Sequence, residues 1–481
     1  MSPGEPRPYQ TAGSAWIYTR LSSPDTRAVL LCDDPGLGKT QQALNAADKL
    51  HVRRMLVVAP AGARRVWAQE IGKWHHEWRS RVLNIEPGVK IADVQPQLGD
   101  AELIVLISYD ALSQTAQMAQ LWTTTLTKYQ WDLLVVDEAH YLKGFSNRTR
   151  AVYGDKGTNQ GIHTACDRVL LLTGTPTPNH AGELWHHIRT LWPDILIIPS
   201  HDSSRQMSEA EFQERFTEFT DTKWGRMVTR SKNQAVLRER LKPYVLHRSK
   251  RTVLPELPPV VTQDVPLSVS RETIRENLTF ANERLHSSLS NNTRLLDDDA
   301  FIAALMHAQR HDLGNVASLR RCLGELKVDA AADWITERME CGVRKMLVFG
   351  WHQSVIDHLL RRLHPYDPVS ITGQTTPNGR TNAIDLFQTR ETVRVFAGQI
   401  IAAGTAITLT EAMEVTIVEP SWVPGENRQA IDRAHRIGQH NSVLANFLFV
   451  PGTLDERIMQ VFRRKAADVA PIIPDKQFVT T

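Results

Sequence analysis

The chain has 481 residues, 42% of them hydrophobic and 23% charged, with a formal net charge of +3, which is ordinary for a soluble globular protein of two or three domains. No apolar run reaches the ~20 residues that span a bilayer, and the opening MSPGEPRPYQ lacks the apolar stretch of a secretory signal. The scattered Cys32, Cys166, Cys322 and Cys341 suggest neither a zinc site nor a disulfide framework, and +3 neither demands nor excludes nucleic acid, because clustering of charge matters more than its sum.

In chain order, AVLLC at 28–32 is a short apolar run before a glycine turn, and QQALNAADKL at 41–50 reads as a helix. MLVVAP at 55–60, LIVLIS at 103–108, LLVVD at 133–137 and VLLLTG at 169–174 are further continuous apolar runs. Strands of this kind are buried on both faces, as in a parallel sheet with helices packed on either side. From about 180 to 257 the strand signal vanishes, and ELWHHIRTLW, EAEFQERFTEF and QAVLRERLKPYVLHR read as amphipathic helices. VLPELPPV at 253–260 is a proline-rich break, followed by another helical stretch from 271 to about 339. The β/α pattern then returns in KMLVFG at 345–350, PVSITG at 368–373, VRVFAG at 393–398 and VTIVEP at 415–420. The expected fold class is α/β, with two doubly wound parallel-sheet lobes and helical insertions.

Three motifs carry chemistry. LLCDDPGLGKT at 30–40 ends as a phosphate-binding loop does, although Asp33 stands where the general pattern has glycine. A strand, a tight turn and a helix N-terminus aim backbone N–H groups and the helix dipole at an anion. Gly36 and Gly38 let the backbone curl, Lys39 supplies charge to the β- and γ-phosphates, and Thr40 can ligate Mg²⁺. LLVVDEAH places Asp137 and Glu138 at the end of an apolar strand, where Asp137 would hold Mg²⁺ and Glu138 would orient the attacking water. In QAIDRAHRIGQ at 429–439, Arg433 and Arg436 lie three apart and would share a helix face. Alone they suit a solvated basic helix; with a phosphate loop in the same chain they suit arginine fingers, which are worth ~10³–10⁵ in rate.

Taken together, these motifs resemble the SWI/SNF-like branch of the superfamily-two helicase-like ATPases, over nearly the whole chain and in that family's order. RPYQ resembles the adenine-reading segment, with Gln10 its key residue. DDPGLGKT is similar to motif I, in which an aspartate at the place of Asp33 is normal, so that Gly36, Leu37, Gly38, Lys39, Thr40 and Gln41 would line the nucleotide. VVAPAGARRVWAQE, ISYDAL, DEAHYLKG and LTGTPTPN resemble motifs Ia, Ib, II and III; the last couples hydrolysis to lobe movement through Thr173, Gly174 and Thr175, with His140 and Gln429 as further coupling residues. KMLVFGWHQSVIDHL, AAGTAITLTEA and DRAHRIGQ resemble motifs IV, V and VI, in wording nearest the HARP-like annealing helicases. Two residues depart from the pattern: Pro35 replaces the usual methionine of motif I, and Ala406 a usual glycine of motif V.

The resemblance implies two RecA-like lobes. Residues 1–260 would form lobe 1 with a helical protrusion at about 180–257. Residues 261–481 would form lobe 2, with a protrusion at about 271–339 and a closing helix at about 453–470. It implies an ATP-hydrolysing, Mg²⁺-dependent motor acting on double-stranded or branched DNA, with ATP between the lobes. Backbone contacts to DNA would come from Arg64, Ser108 and Tyr109 in lobe 1 and from Thr372, Thr405 and Thr408 in lobe 2; loop-capping by the hydroxyls is the competing role. Trp351 and Trp422 suit core or cleft packing better than base stacking. A strand-separating helicase on DNA or RNA and an ATP-gated nucleic-acid-binding scaffold are the alternatives. By the same analogy the chain is expected to be a monomeric cytoplasmic protein of a prokaryote or virus-infected cell, with partners in replication or recombination and no membrane association.

Overall fold

The computed structural model describes residues 5–86, 88–155, 160–177, 179–199, 204–222, 225–270, 272, 313–400, 407–421, 423–453, 455–456, 459–460 and 463–464. The described residues fall into two units, one within 1–216 and 233–253, the other within 217–232 and 254–470.

In the first unit every continuous apolar run becomes a strand. β1 (Ala28–Leu31), β2 (Arg54–Ala59), β3 (Val82–Asn84), β4 (Leu103–Ser108), β5 (Trp131–Asp137) and β6 (Cys166–Leu172) join one sheet. Two antiparallel hairpins follow in the chain, β7 (Ile197–Pro199) with β8 (Ser204–Gln206) and β9 (Thr217–Thr222) with β10 (Gly225–Ser231), the latter grouping with the second unit. β11 (Val245–Leu246) completes the sheet, whose order is β11-β1-β6-β5-β2-β4-β3 with every pair parallel. Leu133, Leu134, Val135 and Val136 are consecutive and all 0% exposed, so both faces of β5 are covered. Leu133 and Val135 join a cluster with Ile17 of α1 (Pro8–Leu21), Leu44 of α2 (Lys39–Lys49) and Trp67 and Ile71 of α3 (Ala63–Trp74). At ~1.5–3 kcal/mol for each large apolar side chain buried, this layer is the main force holding the helices to the sheet.

The second unit repeats the plan. β12 (Val260–Pro266), β13 (Met346–Gly350), β14 (Val369–Ile371), β15 (Val395–Gln399), β16 (Glu414–Ile417) and β17 (Val443–Phe449) form a parallel sheet in the order β12-β17-β16-β13-β15-β14. Alternate residues of β13 serve its two faces. Leu347 and Phe349 pack with Ala430 and Ile431 on one side, whereas Met346 and Val348 pack with Ala331, Ile335 and Leu359 on the other.

The 180–257 stretch is not all helical, as the apolar periodicity suggests, but carries the two hairpins and β11. The helix begun in EAEFQERFTEF ends at Phe216, where the β-branched Thr217 opens the strand TEFTDT. QAVLRERLKPYVLHR is helical only over Gln234–Leu241, because Pro243 cannot continue the helix and Val245 then pairs with Leu30. β3, β12 and β17 lie outside the runs singled out in the sequence. Of the 271–339 stretch the structure describes Leu313–Glu340 as helix, and most of the expected closing helix at 453–470 lies outside the described residues. Among the described residues no helix is long and apolar enough to cross a membrane.

The helix Trp185–Leu191 buries tandem histidines. His186 is 4% and His187 2% exposed, and His187 Nδ1 lies 2.7 Å from the Tyr153 hydroxyl. Burial pushes their pKa values down to about 4 and about 3, from ~6.5 in an unfolded chain. The unfolded state therefore takes up protons first as pH falls. Stability is full above ~6.5 and declines by ~1.4 kcal/mol per pH unit for each histidine between ~6.5 and the folded values. Urea unfolding at pH 7.5 and pH 5 should show that decline, with part of it removed in His187→Phe; equal stability at the two pH values would count against neutral burial.

Candidate nucleotide site

β1 delivers the chain into a loop that only glycine permits at two places. Gly36 has φ 88° and Gly38 φ 74°, the left-handed region in which a Cβ is strained. Gly38 is also the N-cap of α2, so Lys39, Thr40 and Gln41 form its first turn and their N–H groups face out of the helix end. A Cβ on Gly38 would lie 2.3 Å from Gln10 Nε2, so the loop closes against α1 as well. Gln10 is fully engaged in this: its Oε1 accepts from the Arg7 N–H at 2.8 Å, capping α1, and its Nε2 donates to the Leu37 carbonyl at 3.3 Å. Lys39 folds its ammonium over the loop, 2.7 Å from the Asp33 carbonyl and 3.4 Å from that of Asp34.

The loop is held from behind by a residue that the sequence motifs do not single out. Arg248 Nε and Nη2 grip the two carboxylate oxygens of Asp33 at 3.1 and 2.5 Å, and Nη2 also reaches Gln42 Oε1 at 2.6 Å. Its Nη1 donates to the Tyr9 carbonyl of α1. Asp33 is 0% exposed and the Arg248 side chain 15%, so this is a buried bidentate pair. Around it the backbone is zipped: the Cys32 and Asp34 N–H groups donate to the carbonyls of Leu246 and Arg248 at 2.8 and 3.1 Å, and the Lys250 N–H donates to Asp34 Oδ2 at 3.0 Å. Arg248 lies in VLHRSKRTVLPELPP, a stretch that resembles the family's segment leading from lobe 1 toward lobe 2, but nothing in the sequence marks it as the partner of Asp33.

The acidic pair stands at the end of β5. Asp137 Oδ2 accepts from the Trp67 indole at 2.9 Å and its Oδ1 from the Glu138 N–H at 3.0 Å, which fixes the carboxylate plane. The Tyr109 hydroxyl donates to the Asp137 carbonyl at 2.7 Å. Burial, then the neighbouring Glu138 charge, lift the Asp137 pKa to about 6. Glu138 sits at φ 50°, an uncommon place for a residue with a side chain, so the backbone turns sharply just where the second carboxylate must be presented. His140 Nδ1 lies 2.9 Å from Thr173 Oγ1, 3.3 Å from Glu138 Oε2 and 3.4 Å from Thr175 Oγ1, and the Thr175 N–H donates to Thr173 Oγ1 at 3.0 Å. Motifs II and III thus meet at one ring nitrogen.

The donor set fits a magnesium nucleotide. Two positive-φ glycines and a helix start form an N–H cradle, an ammonium crosses its mouth, and a carboxylate whose pKa is raised by burial and then by its acidic neighbour would be relieved by a divalent cation. Among the described residues no group of three or more His, Cys, Asp or Glu side chains is disposed to hold a metal by itself, so phosphate oxygens and water would complete the sphere, as Mg²⁺ prefers.

Other expected site residues are placed differently. Arg64 is 4% exposed and spends its guanidinium inside, on Asn84 Oδ1 at 2.9 Å, Glu86 Oε2 at 3.5 Å and the Ile85 carbonyl. Ser108 and Tyr109 are each 2% exposed; the serine hydroxyl accepts from the Ala111 N–H at 3.2 Å and caps its own turn. Thr372, 5% exposed, accepts from the Gln374 N–H at 3.3 Å in the same manner. The two hydroxyls of Ser108 and Thr372 turn inward to accept from N–H groups of the turns that follow their strands, whereas Arg64 and Tyr109 turn inward as donors to carbonyl and carboxylate oxygens. Thr408 is exposed, while Thr405, Ala406 and Trp422 lie outside the described residues. Trp351 is half-buried under the Arg320 guanidinium, 3.8 Å from the ring centroid, which is packing rather than a free stacking face.

In the second unit the helix Pro424–Ile431 ends before the arginines, so Arg433 and Arg436 occupy turns and not one helix face. Asp432, 0% exposed, caps that helix and receives Arg428 Nε at 3.2 Å. Arg433 is 3% exposed and donates to the carbonyls of Gln429 and Ile407 at 3.0 and 3.3 Å. Arg436 is half-buried and donates to Thr408 Oγ1 at 3.0 Å and to the Asp432 carbonyl at 3.1 Å. Desolvation lowers its pKa, though an arginine so shifted stays charged at neutral pH.

Residues 9–310 match the SNF2-related domain, and residues 327–438 match the helicase conserved C-terminal domain. The chain is 27% identical over 469 residues to the DNA annealing helicase and endonuclease ZRANB3 of Bos taurus, covering 95% of this chain and 40% of that protein. It is 28% identical over 465 residues to the SWI/SNF-related matrix-associated actin-dependent regulator of chromatin subfamily A-like protein 1 of Xenopus tropicalis, covering 95% and 44%. The chain therefore spans less than half the length of these curated relatives. Among solved structures, the Sulfolobus solfataricus SWI2/SNF2 ATPase core in complex with dsDNA aligns with TM-score 0.41 and 23% identity over 96% of this chain and 92% of that one.

Two substitutions check the supports of this site. Arg248→Met leaves Asp33 buried without its partner and should lower stability by ~3–5 kcal/mol in urea unfolding, with much of the loss regained in Asp33→Leu/Arg248→Met. Trp67→Phe keeps the ring but removes the donor to Asp137; Mn²⁺ binding to the protein with ADP, read by electron paramagnetic resonance, should weaken about 10-fold or more, as losses of groups that orient metal ligands do.

Proposed function

Because the chain belongs to the SNF2-related domain family, we propose that it is a DNA-dependent ATPase that translocates on double-stranded or branched DNA during remodelling, repair, recombination or replication. The observation that carries the reading is the convergence in one unit of the glycine loop, Lys39, the pinned Asp137 and the sharply turned Glu138. The name of the Bos taurus relative, a DNA annealing helicase, supports DNA as the substrate polymer.

In this mechanism Lys39 and the N–H groups opening α2 hold the β- and γ-phosphates of ATP. Thr40 and Asp137 would hold Mg²⁺, which when bound would supply charge neutralisation for the leaving phosphate. Trp67 keeps the Asp137 carboxylate in the plane its partners dictate, so little reorganisation is needed at the moment of reaction. Glu138 orients the attacking water and takes its proton. His140, between Glu138 and the motif III threonines, relays the state of the carboxylate to Thr173 and Thr175. In the second unit Arg436 is the candidate for stabilising charge on the transferred phosphoryl group, because Arg433 is buried on carbonyls of its own unit. Gln10 contributes through the loop it braces, and Thr408 is the described candidate for a DNA phosphate contact.

The decisive measurement is the ATPase rate without DNA and with single-stranded, duplex, forked and four-way-junction DNA at fixed salt, since phosphate contacts are salt-dependent. Duplex or branched DNA should stimulate turnover at least ~10-fold, and Glu138→Gln should lower kcat by ~10²-fold or more while nucleotide binding persists. Turnover that ignores DNA would sink the proposal, and displacement of a strand from a plain duplex would make the protein a helicase instead.

A further inference from the structure

Pro35 is the residue at which this phosphate loop departs from the pattern it resembles, and it is buried. Its neighbour across the fold is Gly174 of motif III, between Thr173 and Thr175. A Cβ built on Gly174 would lie 2.8 Å from Pro35 Cγ, 2.9 Å from Cδ and 3.4 Å from the proline nitrogen. Real side chains do not approach so closely, so the ring rests directly on the glycine backbone. Gly174 is not among the positive-φ glycines, so its backbone conformation is open to alanine; it is the space that is not.

The turn on which Pro35 rests is the one that holds His140. Thr173 and Thr175 both place their hydroxyls on His140 Nδ1, at 2.9 and 3.4 Å, and the same nitrogen lies 3.3 Å from Glu138 Oε2. The Thr173 N–H donates to the Leu31 carbonyl at 3.2 Å, so the turn is tied at one end to the strand that leads into the loop and is capped in its middle by the proline ring. A methionine in the place of Pro35 has three rotatable bonds and can swing aside, whereas a proline ring, with φ fixed near −65°, cannot. We infer that Pro35 is a positioning residue: its ring locks the 173–175 turn to the phosphate loop and thereby sets where His140 holds Glu138 relative to the bound phosphates. The inference rests on the ATPase reading above.

A double-mutant cycle with the full chain tests this. Gly174→Ala forces the new methyl against the ring. It should lower kcat about 10-fold or more while the Kd for fluorescent ADP changes less than about 3-fold, because the N–H cradle itself is untouched. Pro35→Ala removes Cγ and Cδ and frees the turn, so kcat should fall about 5-fold while the Kd for fluorescent ADP changes less than about 3-fold; in Pro35→Ala/Gly174→Ala the methyl has room, and kcat should match the Pro35→Ala value to within about 3-fold, whereas a Pro35→Ala kcat equal to wild type would overturn the positioning role. Independent, multiplicative losses in the double variant would overturn the inference, as would a Gly174→Ala loss shared equally by kcat and ADP affinity. Should Gly174→Ala fail to fold by thermal melting, recovery of folding and turnover in the double variant supports the contact, and failure of both overturns it. A wild-type chain without DNA-stimulated turnover would instead defeat the ATPase reading, whatever the cycle shows.

Discussion

Asp33 is fully buried beyond the end of β1, where an ionised carboxylate must be paired or it destabilises the fold by several kcal/mol. Arg248 meets it from 215 residues further along the chain. Because the same guanidinium also reaches Gln42 on α2 and the Tyr9 carbonyl on α1, four segments that the sequence keeps apart are gathered at one planar cation. Gly13 shows how tight the gathering is: a Cβ there would lie 1.9 Å from Gln42 Oε1 and 2.5 Å from Arg248 Nη2. The nucleotide loop is therefore shaped less by its own residues than by what closes behind it.

That arrangement joins a rigid backing to a chemically poised front. Asp137 is oriented by an indole N–H, a backbone N–H and, through its own carbonyl, a buried tyrosine hydroxyl. Trp67 stands on α3, and Tyr109 and Glu138 directly follow the ends of β4 and β5, so the carboxylate inherits the stiffness of the core. Glu138 is presented differently: its backbone turns at φ 50°, and its Oε2 lies 3.3 Å from the His140 nitrogen that also faces Thr173 and Thr175. The Pro35 ring lies against Gly174, between those two threonines of motif III.

The second unit uses its motif VI residues mostly for its own architecture. Asp432 ends a helix, Gln439 Nε2 donates to the carbonyls of Thr410 and Ala412 at 2.9 Å each, and Arg433 braces Ile407. Arg436 alone of the two arginines is only half-buried, which concentrates the catalytic expectation on one side chain. The buried Glu419 plays a like role near motif IV, accepting from the Trp351 and His352 N–H groups at 2.8 and 2.9 Å and so organising the start of the next helix.

The sequence by itself determined the α/β class and the two-lobed plan, because continuous apolar runs such as LLVV leave no polar face and must be covered on both sides. It also determined the loop and the acidic pair, since glycine pattern, lysine and strand-end carboxylates are local chemistry with fixed spacing. What it did not reveal follows from separation along the chain. The Arg248 clamp, the Trp67 donor and the Pro35–Gly174 contact each join residues far apart in sequence, and no periodicity marks them. For the same reason Arg64, Ser108, Tyr109 and Thr372 looked available in the sequence yet are buried: only packing decides whether a hydroxyl or guanidinium faces water or closes a loop at the end of a strand. The short hairpins and the two-residue β11 were hidden as well, because their pairing partners, not their composition, make them strands.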